Sequence, residues 1–274
     1  MVDPAEAGPL EHGPALLFCP ADRPDRYQKA TAAADAVIID LEDAVAPENR
    51  AHARASLREA MPNPATTIVR VNPAATEDFA LDLECLADTG IRMVMLAKTE
   101  QASDVARLEA FEVIALCETV RGIENCAEIA AVSNVVALMW GAEDLIVSLG
   151  GRSSRTPGGA YRDVARYART RVLFAAAAHG AAAIDAVYLD IADREGLRAE
   201  AMDAVAVGFS ATACIHPSQV EAIRAAYAPT EVALAWAERL LLAAESSPGV
   251  FAFEGQMIDE PILRQARRVR AHRP

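Results

Sequence analysis

The sequence predicts an α/β fold, namely a (β/α)₈ TIM barrel that carries a C-terminal helical extension and lid. From Ala15 onward, short runs of β-favouring residues alternate with longer alanine-rich segments of helical periodicity, which is typical of parallel βα units. Eight such runs occur, most of them about 20 to 30 residues apart, as one strand and one helix per unit require. In order, the runs are ALLFC, AVIID, TIVRV, RMVML, VIALC, VVALM, AVYLD and TACIH.

A doubly wound parallel sheet is the alternative fold, because it also alternates strands with helices and binds ligands at the carboxyl ends of its strands. The nucleotide-binding signatures common in that fold are missing from this sequence. No GxGxxG follows the first run, and GAEDLIVSLGG does not match a Walker loop. The barrel is therefore the favoured interpretation.

Three segments are predicted along the chain. Residues 1–13 mix acids, prolines and glycines and are predicted to form a flexible tail. Residues 14–228 contain the eight βα units and form the catalytic barrel. Residues 229–274 contain a helical segment, the stretch FAFEGQMIDEP and a basic helix, which exceed what a barrel needs. We expect this last segment to form the helical extension and a lid that reaches a neighbouring subunit.

Charge and composition exclude several classes of protein. The 274 residues include 26 Lys and Arg against 39 Asp and Glu, and a net charge of −13 disfavours a nucleic-acid partner. The five cysteines are odd in number and never spaced as CxxC, so neither a disulfide framework nor a zinc site is indicated. No signal-peptide pattern and no sufficiently long apolar stretch occurs, which predicts a cytoplasmic protein without a membrane role.

Two carboxylates follow neighbouring predicted strands. Glu118 comes after the fifth run and Asp144 shortly after the sixth, so both are expected at the same end of the barrel. Two carboxylates can hold one hard cation such as Mg²⁺ and leave positions for waters and substrate oxygens. In the alternative interpretation, Glu118 caps the following helix and Asp144 pairs with a nearby arginine.

Arg70 ends the β-branched third run and is predicted to point into the barrel mouth. Its guanidinium would suit a substrate carboxylate or a developing oxyanion, although an ion pair with Asp40 or Glu42 is equally consistent with the sequence. Asp40, Glu42 and Asp43 follow the second run and cannot all stay charged in one pocket without cations nearby. We interpret these three acids as catalytic residues in an outer shell around Mg²⁺ that orients Arg70.

Two further segments at the strand ends carry candidate binding residues. Gly141 and Ala142 are small enough to let a substrate carboxylate or carbonyl oxygen approach the backbone N–H groups, although tight packing would also explain them. Arg23, Arg26 and Lys29 place three cations after the first run, which could hold phosphates. A solvated helix start is the alternative for this basic cluster.

Eight motifs carry a resemblance to a known family. LFCPADRP, DLEDAV, VRVN, LAKTE, CETVRGIEN, WGAEDL, CIHPSQ and FEGQMID occur in this order between about Leu16 and Pro261. Together they resemble the citrate lyase beta-subunit-like family of the HpcH/HpaI aldolase/citrate lyase superfamily. The chain departs from the pattern at LAKTE, where relatives often have a proline before the lysine, and at ATACIHPSQ, which lacks a lysine ahead of the cysteine.

The resemblance implies ligands and roles for individual residues. Glu118 and Asp144 would be the ligands of Mg²⁺, and Arg70 would be the arginine that contacts the substrate. Arg23 and Lys29 would contact the phosphates of coenzyme A, which belongs to an acyl-CoA substrate. The missing lysine at ATACIHPSQ removes one contact to coenzyme A that relatives have, which bears on the thioester accepted.

The resemblance also implies an oligomer and a reaction. In that family, the aspartate matching Asp259 lies on a C-terminal lid that reaches the active site of an adjacent subunit, so a homo-oligomer, in particular a trimer, is expected. The reaction is a retro-Claisen cleavage that yields acetyl-CoA and a 2-keto acid. Mg²⁺ would act as the Lewis acid, Arg70 would stabilise charge on oxygen, and Asp259 would handle the proton.

The motifs leave the acyl group open. Citramalyl-CoA, which gives pyruvate and acetyl-CoA, is the favoured substrate, while malyl-CoA, citryl-CoA and 3-hydroxy-3-methylglutaryl-CoA present a similar hydroxyl and carboxylate. A metal-dependent aldolase acting on free hydroxy-keto acids is an alternative, but those relatives carry a histidine where this chain has Asp43. A second alternative is the citryl lyase subunit of a citrate lyase complex.

Overall fold

Eight parallel strands close into a barrel in the computed structural model, which describes residues 13–247 and 249–271. Each strand pairs with the next along the chain, and the eighth pairs with the first, so the predicted TIM barrel is confirmed. All but one residue of the predicted tail lie outside the described residues. The strands are β1 (Ala15–Pro20), β2 (Ala36–Asp40), β3 (Thr67–Val71), β4 (Met93–Leu96), β5 (Glu112–Cys117), β6 (Val135–Trp140), β7 (Ala182–Asp185) and β8 (Ala211–Cys214).

Helices follow the strands and cover the outside of the barrel. Most are short, and the longest, α8 (Asp163–His179), is followed by Gly180, whose φ of 73° suits a residue without a side chain. The helices of the barrel are α1 (Tyr27–Ala33), α2 (Arg50–Ala60), α3 (Glu77–Leu86), α4 (Ala102–Val105), α5 (Val120–Glu124), α6 (Cys126–Ala130), α7 (Ala142–Ser148), α8 (Asp163–His179), α9 (Arg194–Val207) and α10 (Val220–Tyr227). No helix in the described part of the chain is long and apolar enough to cross a membrane.

The interior of the barrel is filled by aliphatic and alanine side chains. Alternate residues of each strand point inward, as the two-residue period of a strand requires, and they form one buried cluster. The cluster contains Leu16, Ala36, Ile38, Ile68, Met93, Met95, Ile114, Leu116, Ala137, Met139, Ala182, Ile184, Ala211 and Ala213. Above this packed layer, the same alternation places polar residues at the carboxyl ends of β2, β3 and β5.

The position of the seventh strand differs from the sequence prediction. AVYLD, with its valine and tyrosine, was the expected strand, but β7 is the preceding segment Ala182–Asp185. Alanine has a low preference for strands, so the sequence of β7 resembles a continuation of the alanine-rich helix α8. Asp185, and not Asp190, therefore ends the strand, and its carboxylate accepts hydrogen bonds from Trp140 Nε1 at 2.7 Å and from Arg169 Nη2 at 2.8 Å.

A second compact unit follows the barrel. The chain divides between Ile223 and Arg224, within α10. After α10, the second unit contains α11 (Glu231–Glu245), the hairpin strands β9 (Phe251–Phe253) and β10 (Gln256–Ile258), and α12 (Glu260–Ala271). Glu254 and Gly255 form the two-residue hairpin turn, both with positive φ. The core of this unit consists of Ala237, Leu240, Ile258, Leu263 and Ala266. The boundary predicted at residues 228 and 229 stays a prediction.

Candidate active site

Asp40 and Arg70 form a two-pronged ion pair at the carboxyl ends of β2 and β3. Strand register places the two residues side by side, and Nε and Nη2 of Arg70 donate to the two Asp40 oxygens at 2.7 and 2.5 Å. Asp40 also accepts the backbone N–H groups of Glu42 at 2.9 Å and Ala44 at 3.0 Å. The guanidinium of Arg70 lies 4.9 Å from the ring centre of Phe18. Because one edge of the guanidinium is paired with Asp40 and one of its faces lies against Phe18, Arg70 is held in one orientation.

Lys98 brings the remaining acids of the β2 exit together. Its ammonium contacts Glu42 and donates to Asp43 Oδ2 at 2.8 Å, while Arg70 Nη1 lies 3.2 Å from Glu42 Oε2. Partial burial works against ionisation of Asp43, but the ammonium of Lys98, together with the charge of Arg70, outweighs it and holds the pKa of that carboxyl below its usual value. The cations that the three acids require are therefore Arg70 and Lys98. Sequence reasoning assigned no role to Lys98, although it lies in the LAKTE motif.

Glu118 follows the end of β5, and its side chain is buried. The backbone N–H of Lys98 donates to its Oε1 at 3.1 Å, and the side chain lies against Gly141 at the end of β6. A Cβ added to Gly141 would come within 2.6 Å of Glu118 Oε2, so the glycine makes room for this carboxylate. Burial, and then the negative charge of Asp144, raise the pKa of Glu118 to about 8.

Asp144 lies in the first turn of α7 and is partly exposed. Its Oδ1 is 3.4 Å from the ammonium of Lys98, so its cationic partner here is a lysine and not an arginine. The capping role considered for Glu118 belongs instead to Thr119, whose hydroxyl accepts the N–H of Gly122 at 3.1 Å. Both structural alternatives for the two acids are therefore wrong, and neither side chain is committed to a helix end or an arginine.

The donor set at this end of the barrel fits a hard divalent cation. Glu118 and Asp144 supply carboxylate oxygens and repel each other, and a divalent cation between them would offset that repulsion. Among the described residues, no group of three or more His, Cys, Asp and Glu side chains is arranged to hold a metal. Two protein ligands with open positions for water and substrate oxygens are typical of Mg²⁺ sites.

The remaining candidate residues have contacts of their own. Arg23 is exposed and forks onto Asp25, with Nε to Oδ1 at 3.2 Å and Nη2 to Oδ2 at 3.3 Å, and Lys29 is exposed on α1. Ala142 is buried as the first residue of α7. Asp259 belongs to the C-terminal unit, where its Oδ1 accepts the N–H of Ile262 at 3.4 Å and its carbonyl oxygen accepts the N–H of Leu263. Binding roles for these residues stay predictions.

A closed parallel barrel that gathers acids, an arginine and a lysine at the carboxyl ends of its strands defines an α/β-barrel enzyme. The family model of the HpcH/HpaI aldolase/citrate lyase matches residues 15–217. A citrate lyase subunit beta-like protein of Mycobacterium tuberculosis is 56% identical over 254 residues, which cover 93% of each chain. The chain therefore belongs to the HpcH/HpaI aldolase/citrate lyase family, in its citrate lyase beta-subunit-like branch, and is a lyase.

Solved structures show the same relationship. The protein CitE from Mycobacterium tuberculosis, in complex with magnesium, acetoacetate and coenzyme A, superimposes with a TM-score of 0.93 at 55% identity and covers 96% of this chain and 98% of its own. Another structure of CitE from that organism, in complex with magnesium and pyruvate, has a TM-score of 0.84 at 48% identity and covers 96% of this chain and 100% of its own. The predicted family resemblance is confirmed.

Proposed function

We propose that this chain is a Mg²⁺-dependent carbon–carbon lyase that cleaves a short β-hydroxyacyl-CoA thioester. The observation that carries the proposal is the placement of the Asp40–Arg70 fork beside the buried acid Glu118 at one end of the barrel. The relative from Mycobacterium tuberculosis holds magnesium and coenzyme A on the same fold, which supports both ligands for this chain.

Glu118 and Asp144 are the proposed ligands of Mg²⁺. When bound, Mg²⁺ supplies a Lewis acid that polarises substrate oxygens. Lys98 orients Glu118 through its backbone N–H, and its ammonium offsets the charge of Glu42 and Asp43. Arg70 and Lys98 thus offset part of the negative charge of the carboxylates at this end of the barrel, and a bound Mg²⁺ would offset more of it.

Arg70 is the proposed substrate arginine. Its two hydrogen bonds to Asp40 fix the guanidinium, so a hydrogen-bond donor is already oriented towards the oxygen on which charge develops. In the proposed reaction the β-hydroxyl gives its proton to a base and its oxygen becomes the carbonyl of a keto acid, which is a 2-keto acid when the substrate is citramalyl-CoA. The electrons of the broken carbon–carbon bond pass to the thioester enolate, which is then protonated to acetyl-CoA.

Asp259 is the proposed proton-transfer residue. In the family that the chain resembles, the matching aspartate acts on an adjacent subunit, and we propose a homotrimer for the same reason. The C-terminal unit that carries Asp259 has a core of its own, as a segment that docks on another chain requires. Arg23 and Lys29 are the proposed contacts for the phosphates of coenzyme A, and binding would compete with the Arg23–Asp25 pair.

Citramalyl-CoA is the proposed substrate, with pyruvate and acetyl-CoA as products. The complex of the relative with magnesium and pyruvate supports this choice. Its complex with magnesium, acetoacetate and coenzyme A favours 3-hydroxy-3-methylglutaryl-CoA as a second candidate. Malyl-CoA and citryl-CoA complete the panel to be tested.

All five cysteines are free and buried, which suits the reducing cytoplasm that we propose as the location of the protein.

Release of acetyl-CoA from these four thioesters by the purified chain tests the proposal. We expect Mg²⁺-dependent release that EDTA stops and that Glu118→Ala lowers by more than about a hundredfold, since the metal loses its buried ligand. Glu128→Ala, which removes an exposed glutamate from α6, is the matched control. Activity only on free hydroxy-keto acids would favour the aldolase alternative. Activity that appears only with added partner subunits would favour a citrate lyase complex.

A further inference from the structure

A buried polar network lies behind the Asp40–Arg70 pair. Asp82 of α3 is fully buried and accepts two hydrogen bonds on Oδ2 from Asn72, one from the backbone N–H at 2.9 Å and one from Nδ2 at 2.8 Å. Arg54 of α2 donates to its other oxygen, Oδ1, at 2.8 Å. Two outer helices are thereby connected to the carboxyl end of β3.

Asn72 extends this network to the exit of β2. Its Nδ2 also donates to the carbonyl oxygen of Leu41 at 3.0 Å, and the N–H of Leu41 donates to the carbonyl oxygen of Arg70 at 3.0 Å. Leu41 lies between Asp40 and Glu42 in sequence. The two strand exits that carry the ion-paired fork are therefore tied to each other at this point.

This network stabilises the packing of the two helices against the barrel less than apolar side chains would. Burial raises the pKa of Asp82, even though the hydrogen bonds of Asn72 and Arg54 work in the opposite direction. The side-chain oxygen Oδ1 of Asn72 is buried with no hydrogen-bond partner in the described structure. Buried charges and unpaired acceptors destabilise a fold compared with apolar packing, so stability alone does not account for the arrangement.

We propose that Asp82 is a positioning residue of the lyase reaction that acts through Asn72. By holding both the backbone and the amide of Asn72, it fixes the exits of β2 and β3, and thus the orientation of Asp40 and Arg70. This inference rests on the proposed function, because Arg70 must act on the substrate for its orientation to matter. A displacement of a charged group by about 1 Å can lower an enzymatic rate by about a hundredfold.

Asp82→Ala tests the inference, because alanine removes both carboxylate oxygens and leaves the N–H and the amide of Asn72 without this acceptor. The matched control is Asp78→Ala on the same helix, since Asp78 accepts from Arg54 at 3.0 Å but makes no hydrogen bond to Asn72. We expect Asp82→Ala to lower kcat at least about tenfold with little change in KM for the thioester. The Asp78→Ala variant is expected to keep kcat within about twofold.

Two additional measurements separate positioning from loss of folding. In an Arg70→Lys background, Asp82→Ala should lower kcat no further, whereas a purely structural role would lower it by the same factor as in the wild type. Asn72→Ala, which leaves the Asp82–Arg54 pair intact, should give the same loss of kcat in a chain whose melting temperature shows it to be folded. Hydrogen exchange at the N–H of Leu41 should also accelerate in both variants.

The outcomes distinguish the two proposals. An active wild type together with an Asp82→Ala variant of unchanged kcat overturns the positioning role alone. Equal losses of kcat in Asp82→Ala and Asp78→Ala would overturn it too, because the loss would then result from the broken ion pair with Arg54. A wild type without lyase activity on any of the four thioesters overturns the proposed function, and the positioning role falls with it.

Discussion

The backbone N–H of Lys98 donates a 3.1 Å hydrogen bond to Oε1 of Glu118, so the second residue after β4 orients the buried acid at the end of β5. Lys98 has a φ of 47°, in the left-handed region that residues with a side chain rarely adopt. Its ammonium meanwhile reaches Glu42, Asp43 and Asp144. Backbone strain of this kind persists where the surrounding contacts hold it, and it is concentrated at functional sites.

Two substitutions of Lys98 separate its ammonium from its strained backbone. Lys98→Ala keeps the strain and removes the charge, whereas Lys98→Gly removes both. We expect each to lower kcat at least about tenfold, because Glu42 and Asp43 lose a cation, and we expect the glycine variant to be the more stable by about 1 kcal/mol. Initial rates and urea unfolding check the two effects. An alanine variant with wild-type kcat would contradict the role assigned to the ammonium.

Gly141→Ala is expected to weaken Mg²⁺ binding without unfolding the barrel. Gly141 has ordinary φ and ψ angles of −125° and 122°, so a side chain is excluded only by the closeness of Glu118, whose Oε2 would lie 2.6 Å from the new Cβ. The displaced carboxylate should raise the dissociation constant of Mg²⁺ at least about tenfold by calorimetric titration. Gly158→Ala is the control, because its Cβ would meet only Thr156 Oγ1 at 3.9 Å. Equal Mg²⁺ affinity in the two variants would count against the site.

The sequence predicted the strands that have a strong β-favouring composition. TIVRV and AVIID coincide with β3 and β2, because branched and aliphatic side chains on both faces mark a buried parallel strand. The seventh strand was misplaced, since Ala182–Asp185 has no such composition and only Gly180 marks the end of the helix before it. The β-strand preference of single residues cannot locate a strand such as β7, whose small alanine side chains fit the narrow interior of the barrel.

Sequence reasoning predicted which residues form most of the candidate site, but it did not predict the contacts among them. The eight strand ends predicted that Arg70, Glu118 and Asp144 lie at one end of the barrel, because parallel strands share that end. The sequence did not predict the partners of Lys98, because they depend on the left-handed backbone conformation of this residue. Only a glycine at that position would have indicated such a conformation. Nor could the sequence predict that Gly141 leaves space for Glu118, because that relationship depends on the register between β5 and β6.

Arg70→Lys is expected to lower kcat/KM by about a hundredfold. A lysine ammonium cannot occupy both oxygens of Asp40 in parallel, so the orientation of the charge would be lost although its sign is kept. Steady-state rates on the best thioester check this expectation. Arg92→Lys, at an exposed position ahead of β4, is the control and should match the wild type. If both variants retain wild-type kcat/KM, the fork has no role in the reaction.

Asp78→Asn is expected to change the pH dependence of folding stability. Burial opposes ionisation of Asp78, but hydrogen bonds from Arg50 and Arg54 outweigh it and hold the pKa of this carboxyl below its usual value. A lowered pKa in the folded state contributes stability above the unfolded value of about 4, and that contribution is lost as the pH falls through the folded value. At pH 7 the variant should be less stable by about 1 kcal/mol, a modest figure because the pair is partly exposed.

The difference in unfolding free energy between wild type and Asp78→Asn should therefore shrink as the pH falls from about 5 towards 3. Urea unfolding at several pH values in this range measures it, and guanidinium salts are avoided because they would screen the ion pairs. A difference that stays constant across the range would mean that the asparagine variant acts through packing and not through charge. In that case the ion pairs of Arg50 and Arg54 with Asp78 would contribute nothing measurable to stability.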